Sequence, residues 1–232
     1  MILAINTTVG QFSLALMKID GEVLAELLLA PGKGRYTSLM PALQSLLDLS
    51  GKSLAGLKSV IVARGPGSFT GLRVGLALAK GLAHSMKINI IGVSSLEALA
   101  NQISPTPYQI CPIINSRRDE VFTSLFRWEE EKGLKEIAEH ACRRLDSLES
   151  FIGRPTLFIG HEYHKQAPIL RQSLNEKAVL APAHLWILRA STVAALGLAR
   201  FHGNDFDDIN ELTPFYMRPP DIRPNPYPLQ SE

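Results

Sequence analysis

Cysteine is scarce in this chain: Cys111 and Cys142 are the only two among 232 residues. Two thiols in a chain this long make no disulfide framework, so a reducing compartment fits. Cys111 lies in an apolar run and reads as a small buried hydrophobe. Long apolar runs are lacking too. No stretch approaches the ~20 apolar residues of a membrane-spanning helix. The apolar start at residues 2–5 has no basic flank and is too short for a signal peptide. These absences set the expectation of a cytoplasmic protein with no membrane contact. Neither charge dominates, since 24 Lys and Arg balance 22 Asp and Glu for a net +2. Dedicated nucleic-acid binders concentrate basic residues on one face; here they are spread, although a long RNA could still touch a minority of them.

With 46% hydrophobic and 20% charged residues, the composition is that of a packed protein and excludes disorder outside the ends. The length suits one large domain or two lobes sharing a core. Residues 2–5 read as an apolar strand and 12–17 alternate. Asp20-Gly21 is a two-residue hairpin signal before a return strand over 22–29. After the loop Pro31-Gly32-Lys33-Gly34, Thr37 or Ser38 can cap a helix to about Ser50, with Leu39, Leu43, Leu46 and Leu47 at helical spacing and Gly51 closing it. Residues 59–63 read as a buried strand, 70–84 as a helix and 88–93 as a strand. Ser94-Ser95-Leu96-Glu97 opens a helix to about residue 102 as a capping box. Pro105 and Pro107 mark a boundary between an N-terminal lobe, 1–104, and a C-terminal lobe, 105–218. The opening pattern then recurs, with strands at 110–114, 120–127 and 134–139, a helix near 146–152, a strand at 156–159 and a helix over 188–201. Residues 219–232 are Pro-rich and read as an extended or disordered tail. The spacing predicts an α/β fold with a duplicated β-β-β-α-β-α plan, the architecture of sugar kinases, Hsp70 and actin.

The most informative stretch is VIVARGPGSFTGLRVGLALAKGL at 60–82, a strand running through a Gly-Pro-Gly loop into a helix. Gly65 and Gly67 allow tight turns, Ser68 or Thr70 can cap the helix, and Arg73 lies near its start. Gly67, Ser68, Thr70 and Arg73 are therefore candidate anion or nucleotide contacts, although the loop lacks the G-K-[ST] ending and the lysine of a P-loop. Gly71, Gly75, Ala79 and Ala83 recur every four residues and form a strip almost without side chains. Such a strip lets another surface come close. It either packs on the protein's own sheet or docks a partner. The stretch Tyr36 to Leu43 mixes aromatic, Met and Leu groups that suit a protein contact.

Several segments together resemble the bacterial TsaB family, also called YeaZ: ILAINTT at 2–8, RGPGSFTGLRVGLALAKGLA at 64–83, GVSSLEALA at 92–100, NSRRDEVF at 115–122 and PFYMR at 214–218. The resemblance runs from the start to about Arg218. It implies an actin-like ATPase fold and a catalytically inactive relative of TsaD. TsaB pairs with TsaD and acts with TsaE, and the complex uses ATP and Mg²⁺. Together they transfer threonylcarbamoyl from an adenylate, made by TsaC, to N6 of the adenosine beside the anticodon of ANN-decoding tRNAs. Contact with tRNA is then indirect, no cofactor is bound tightly by this subunit, and a homodimer is expected in isolation. The first two helices of the N-terminal lobe form the family's TsaD contact. Carried onto this chain, the partner interface comprises Tyr36, Leu39, Met40, Leu43, Gly71, Leu72, Gly75, Leu78, Ala79 and Leu82, with the small-residue strip as the docking face. Two positions depart from the family, which usually has Asp at Asn6 and at Asn115. In active members of the wider fold, acidic residues there hold the nucleotide's metal, and neutral Asn is a poorer Mg²⁺ ligand. A family His-containing segment is also replaced around Gly34-Arg35-Tyr36.

Rival chemistry finds little support. His161 and His164 are three apart, lack an obvious third metal ligand and do not match H-E-x-x-H. Gly65-Pro66-Gly67-Ser68-Phe69 fails the G-x-S-x-G elbow, so Ser68 reads as a capping hydroxyl. Arg117-Arg118-Asp119-Glu120 reads as a solvated hairpin and Trp186 as packing. The expected role is a partner subunit without turnover of its own. A standalone nucleotide-binding ATPase or metallopeptidase-like enzyme of the same fold is the alternative.

Overall fold

Strands β1 (Ile2–Asn6), β2 (Phe12–Met17) and β3 (Val23–Leu29) form an antiparallel meander, in which Ile2 pairs with Met17 and Asn6 with Ser13. The computed structural model describes residues 1–29 and 35–218, apart from the side chains of Arg35 and Tyr36. The loop 30–34 and the tail 219–232 lie outside the described residues. The first turn differs from the two-residue expectation. It spans residues 18–22, with Gly21 at φ 94° and a register shift at Leu16 and Met17. Gly21 takes the left-handed position of a bulged turn, not one centre of a two-residue loop.

Strands β4 (Ser59–Gly65) and β5 (Asn89–Ser94) extend this sheet in parallel, giving the order β3-β2-β1-β4-β5. Helices α1 (Leu39–Ser50) and α2 (Phe69–Met86) cover one face, packing on Leu3, Ile5, Val60 and Val62. Helix α1 follows a 3₁₀ turn at Arg35–Ser38, and Ser38 makes no side-chain cap bond. A cap is worth ~1 kcal/mol. Burial of Leu39, Leu43, Leu46 and Leu47, at roughly 1.5–3 kcal/mol each, outweighs its loss. At the next two helices Ser68 Oγ accepts from Gly71 N–H, and Ser94 Oγ from Glu97 N–H at the start of α3 (Ser95–Ala100), the serine half of the expected capping box.

The second unit repeats the first. Strands β6 (Gln109–Asn115), β7 (Glu120–Glu129) and β8 (Gly133–Arg144) form a meander, and β9 (Thr156–Ile159) and β10 (Ala178–Leu180) add in parallel, for the order β8-β7-β6-β9-β10. The duplicated plan is therefore present strand for strand. A 3₁₀ turn and the short α4 (Glu149–Ile152) replace the single helix expected at 146–152. Helix α5 (Tyr163–Leu174) and β10 are absent from the sequence-based expectation.

The boundary at residue 104 requires correction. Helix α6 (Ala190–His202) packs on β1, β2, β4 and β5, so it belongs to the first sheet although it follows the second in sequence. Helix α3 does the reverse, packing on β6 and β7. The two helices lie between the sheets. One buried cluster therefore runs from Ile2, Ala4 and Ile61 through Leu99 and Val193 to Ile113 and Leu125.

Candidate functional site

Strands β1 and β6 occupy equivalent central positions, and each ends at an asparagine. Asn6 is fully buried. Its carbonyl accepts from Thr8 N–H at 3.1 Å and Thr8 Oγ at 2.8 Å, while its amide donates to Leu188 O at 2.9 Å and reaches Ser13 Oγ at 3.3 Å. The Asn115 amide donates to Glu162, and its carbonyl accepts from Gln166 Nε2 at 2.8 Å. Burial works to raise the Glu162 carboxyl, but Lys165, the charge of His161 and the Asn115 bond together hold it below the usual carboxylate range. Both asparagines thus use an N–H₂ donor that aspartate lacks.

The loop after β4 folds onto the loop after β1. A β-carbon at Gly67 would lie 2.2 Å from Thr8 O, and Ser68 N–H donates to that carbonyl at 2.6 Å. Gly67 and Ser68 line a cavity of about 340 Å³ with Asn115, Ser116 and Arg117 of the second unit and the segment Phe215 to Arg218. Of the four candidate anion contacts, Gly67 and Ser68 line this cavity. Thr70 and Arg73 do not; the Arg73 guanidinium lies 3.9 Å above the Phe69 ring.

The partner face expected on α1 and α2 requires correction. Leu39, Leu43, Gly71, Leu72, Gly75, Ala79 and Leu82 are buried against the protein's own sheet, with Ala79 at 0% exposure. Thr7 Oγ donates to Gly71 O at 2.7 Å, and a β-carbon at Gly75 would lie 2.1 Å from Thr7 Oγ. The glycines of the strip therefore let α2 sit close on β1. Of the ten residues expected at the interface, Met40 is exposed, at 55%, and Leu78 half-buried. The side chain of Tyr36 lies outside the described residues. The outward side of α2 instead carries Val74, Ala77, Leu78 and Gly81, and α1 adds Leu49 at 81% exposure. The signal for this face is the same helical periodicity, displaced by two residues along α2.

The histidine pair faces different ways. Burial pushes the His161 imidazole down, and its ring meets the backbone of Ile113. His164 is exposed beside the Tyr163 ring. Among the described residues no group of three or more His, Cys, Asp or Glu could hold a metal ion. No helix among them is long and apolar enough to cross a membrane. The Arg117-Arg118-Asp119 turn is an exposed hairpin, and Trp186 is buried with its indole N–H on Ala181 O at 2.9 Å.

Two sheets of the same order, with α3 and α6 exchanged between them, define a member of the actin-like ATPase fold. Residues 35–181 match the family model described as TsaD: tRNA N6-adenosine threonylcarbamoyltransferase. The tRNA threonylcarbamoyladenosine biosynthesis protein TsaB of Bacillus subtilis (strain 168) is 35% identical over 221 residues, covering 94% of this chain and 93% of its own. The protein of the same name from Escherichia coli (strain K12) is 35% identical over 131 residues, 56% of each chain. A solved structure from Pseudomonas aeruginosa, described as an uncharacterized protein with similarity to peptidase YEAZ, gives a TM-score of 0.77 at 20% identity, covering 94% of this chain and 99% of that one. The chain belongs to the TsaB (YeaZ) family.

Proposed function

We propose that this chain takes part in forming N6-threonylcarbamoyladenosine beside the anticodon of ANN-decoding tRNAs, as a non-catalytic subunit that stabilises and positions a TsaD partner. The name its relatives carry supports the pathway. The observation that carries the non-catalytic reading is the state of Asn6 and Asn115. Both stand at strand ends where the family resemblance implies metal-binding carboxylates in active members of the fold, and both are committed to the protein's own hydrogen bonds. ATP and Mg²⁺ are then used by the complex, with TsaE, and contact with tRNA runs through TsaD.

The docking face is the outward side of α1 and α2. Gly81 supports it: it is exposed mid-helix, and an added β-carbon would meet nothing within 4 Å. A glycine there costs the isolated helix ~1 kcal/mol relative to alanine, and its use is to let a partner backbone approach. In isolation the same apolar face pairs two copies of the chain. The standalone-enzyme alternative would need metal or nucleotide ligands other than the two asparagines.

Reconstitution tests the proposal. Purified TsaD, TsaE, threonylcarbamoyl-adenylate and an ANN-decoding tRNA are combined with and without this chain, and modified adenosine is measured by nucleoside mass spectrometry. Modification is expected only when the chain is present, and the chain alone should hydrolyse no ATP. Full modification in its absence, or ATP turnover by the chain alone, refutes the assignment.

A further inference from the structure

Two sequence motifs that the docking face leaves unexplained, Gly65-Pro66-Gly67 and PFYMR at 214–218, meet each other in the fold. After α6 the chain runs along the edge of β5, where Asp207 N–H donates to Ile90 O at 3.0 Å and the Asp207 carboxylate accepts from Gly92 N–H at 2.7 Å. It then crosses from one lobe to the other. On the first lobe, Phe215 N–H donates to Arg64 O at 2.7 Å, the Tyr216 ring stacks on Phe69 with centroids 5.1 Å apart, and Tyr216 Oη accepts from Arg73 Nε at 3.0 Å. On the second lobe, the Phe215 ring meets His140 of β8 edge-on at 4.7 Å, and Arg218 grips Glu120 of β7 with two bonds of 2.5 and 2.9 Å. Met217 packs on the core shared by both sheets.

The glycine motif is shaped for this crossing. Gly65 has φ 123°, and a β-carbon there would lie 2.6 Å from Phe215 O. Phe215 lines both the 340 Å³ cavity beside Ser68 and Asn115 and a second one of about 370 Å³ beside Glu97 and His140. The segment thus divides one interlobe cleft into two small cavities, each at the low end of the ~300–1,000 Å³ range of ligand sites.

We propose that residues 214–218 are a built-in interlobe strap that spans the cleft and holds the two lobes in one fixed arrangement. Two-lobed proteins that bind a ligand in such a cleft close over it by hinge motion. A segment anchored on both sides opposes that motion. Its hold comes from the combination. The Arg218–Glu120 pair is about a third exposed on both partners and would be weak alone, whereas the Phe215 backbone bond and the two ring contacts fix its direction. The inference is independent of the partner-subunit reading, since it concerns only how this chain's lobes are tied.

Distance measurement between the lobes tests it. Spin labels are placed on cysteines introduced at Ser45 of α1 and Gln172 of α5, with Cys142→Ser to remove the accessible native thiol, and the distance distribution is read by pulsed dipolar spectroscopy. The otherwise unaltered chain, diluted in excess unlabelled chain so that pairing of two copies adds no distance, should give one narrow distribution. A Tyr216→Ala/Arg218→Ala variant should broaden it or add a second population, and amide exchange at residues 67–69 and 115–117 should quicken at least tenfold. A second variant ending at Thr213 removes the strap outright and should show the same change. If truncation unfolds the chain, the double substitution decides. An unchanged distribution and unchanged exchange in the folded variants overturn the proposal.

Discussion

Gly75 of α2 sits against Thr7, at the end of β1, so closely that an added β-carbon would lie 2.1 Å from Thr7 Oγ. That hydroxyl is fixed by its bond to Gly71 O, one turn earlier on the same helix, at 2.7 Å. The contact is internal, so substitutions at Gly75 act on folding. Gly75→Leu should lower stability at the upper end of, or beyond, the ~1–3 kcal/mol typical of an overpacked core. Gly75→Ala should cost less. Pairing Gly75→Ala with Thr7→Ala should cost less than the sum of the single changes, because the clashing oxygen is gone. Denaturant melts of the four proteins measure this, and strict additivity would argue against the contact.

Placing at positions 6 and 115 the acidic residues that the family resemblance implies should not create chemistry. Asn6→Asp turns a carboxylate oxygen toward Leu188 O, and Asn115→Asp turns one toward Glu162. Each change removes a donor and leaves two acceptors facing each other, a loss of ~1–3 kcal/mol where the group is buried. Asn6→Asp should be the more damaging, because Asn6 is fully buried and Asn115 is not. Urea midpoints rank the two, and ATP turnover by either variant should stay at background.

The duplicated plan was legible because its strands carry dense apolar runs and its turns carry Gly, Asn or Asp. Helix α5 was not. Its buried side is Gln166, Ala167, Leu170 and Leu174, with Pro168 inside the helix, so a polar residue and a helix breaker interrupt the apolar period. The three residues of β10 were too few to register. The burial of the Gly71, Gly75 and Ala79 strip was not legible, because small residues recur on both sides of α2. Spacing alone gives the period of a helical face and not its direction. The role of Gly65 depends on Phe215, 150 positions away, a relationship no local pattern carries.

The outward counterpart of Gly75 is Gly81, and substitutions there should behave oppositely. Because an added β-carbon meets nothing, Gly81→Ala should stabilise the isolated chain by up to ~1 kcal/mol through helix propensity. Gly81→Arg should leave melting intact while abolishing co-purification with TsaD, since a long charged side chain blocks close approach. Retained pairing in Gly81→Arg would remove α2 from the interface.

Glu26 of β3 holds the start of α6, which has no side-chain cap of its own. Its carboxylate accepts from Ser191 N–H at 2.9 Å, Ser191 Oγ at 3.1 Å and Arg189 Nε at 2.9 Å. Glu26→Ala should cost ~1–3 kcal/mol, mainly by orphaning the Ser191 donors. Arg189 is half exposed and can turn to water. Hydrogen exchange should quicken first in the opening turn of α6; uniform quickening across the chain would point instead to global destabilisation.

Glu97, in the first turn of α3, gives the chain a pH-dependent strain. Burial raises its carboxyl above the ordinary 4.5 and repulsion from Glu136 adds to this, while Lys135 and Arg200 pull it down by less. Because the folded pKa is the higher one, the folded state binds the proton more tightly than the unfolded chain. The resulting stabilisation is complete below pH 4.5 and is lost as pH rises through the folded value. At neutral pH the charged form is strained against its surroundings. Glu97→Gln, neutral at every pH, should therefore melt higher than the unaltered chain at pH 7 to 8. The gap should narrow as the medium is acidified and close below about pH 4.5. Thermal melts at half-unit intervals test the sign directly. A gap that widens on acidification would mean that Lys135 and Arg200 dominate the carboxylate's surroundings instead.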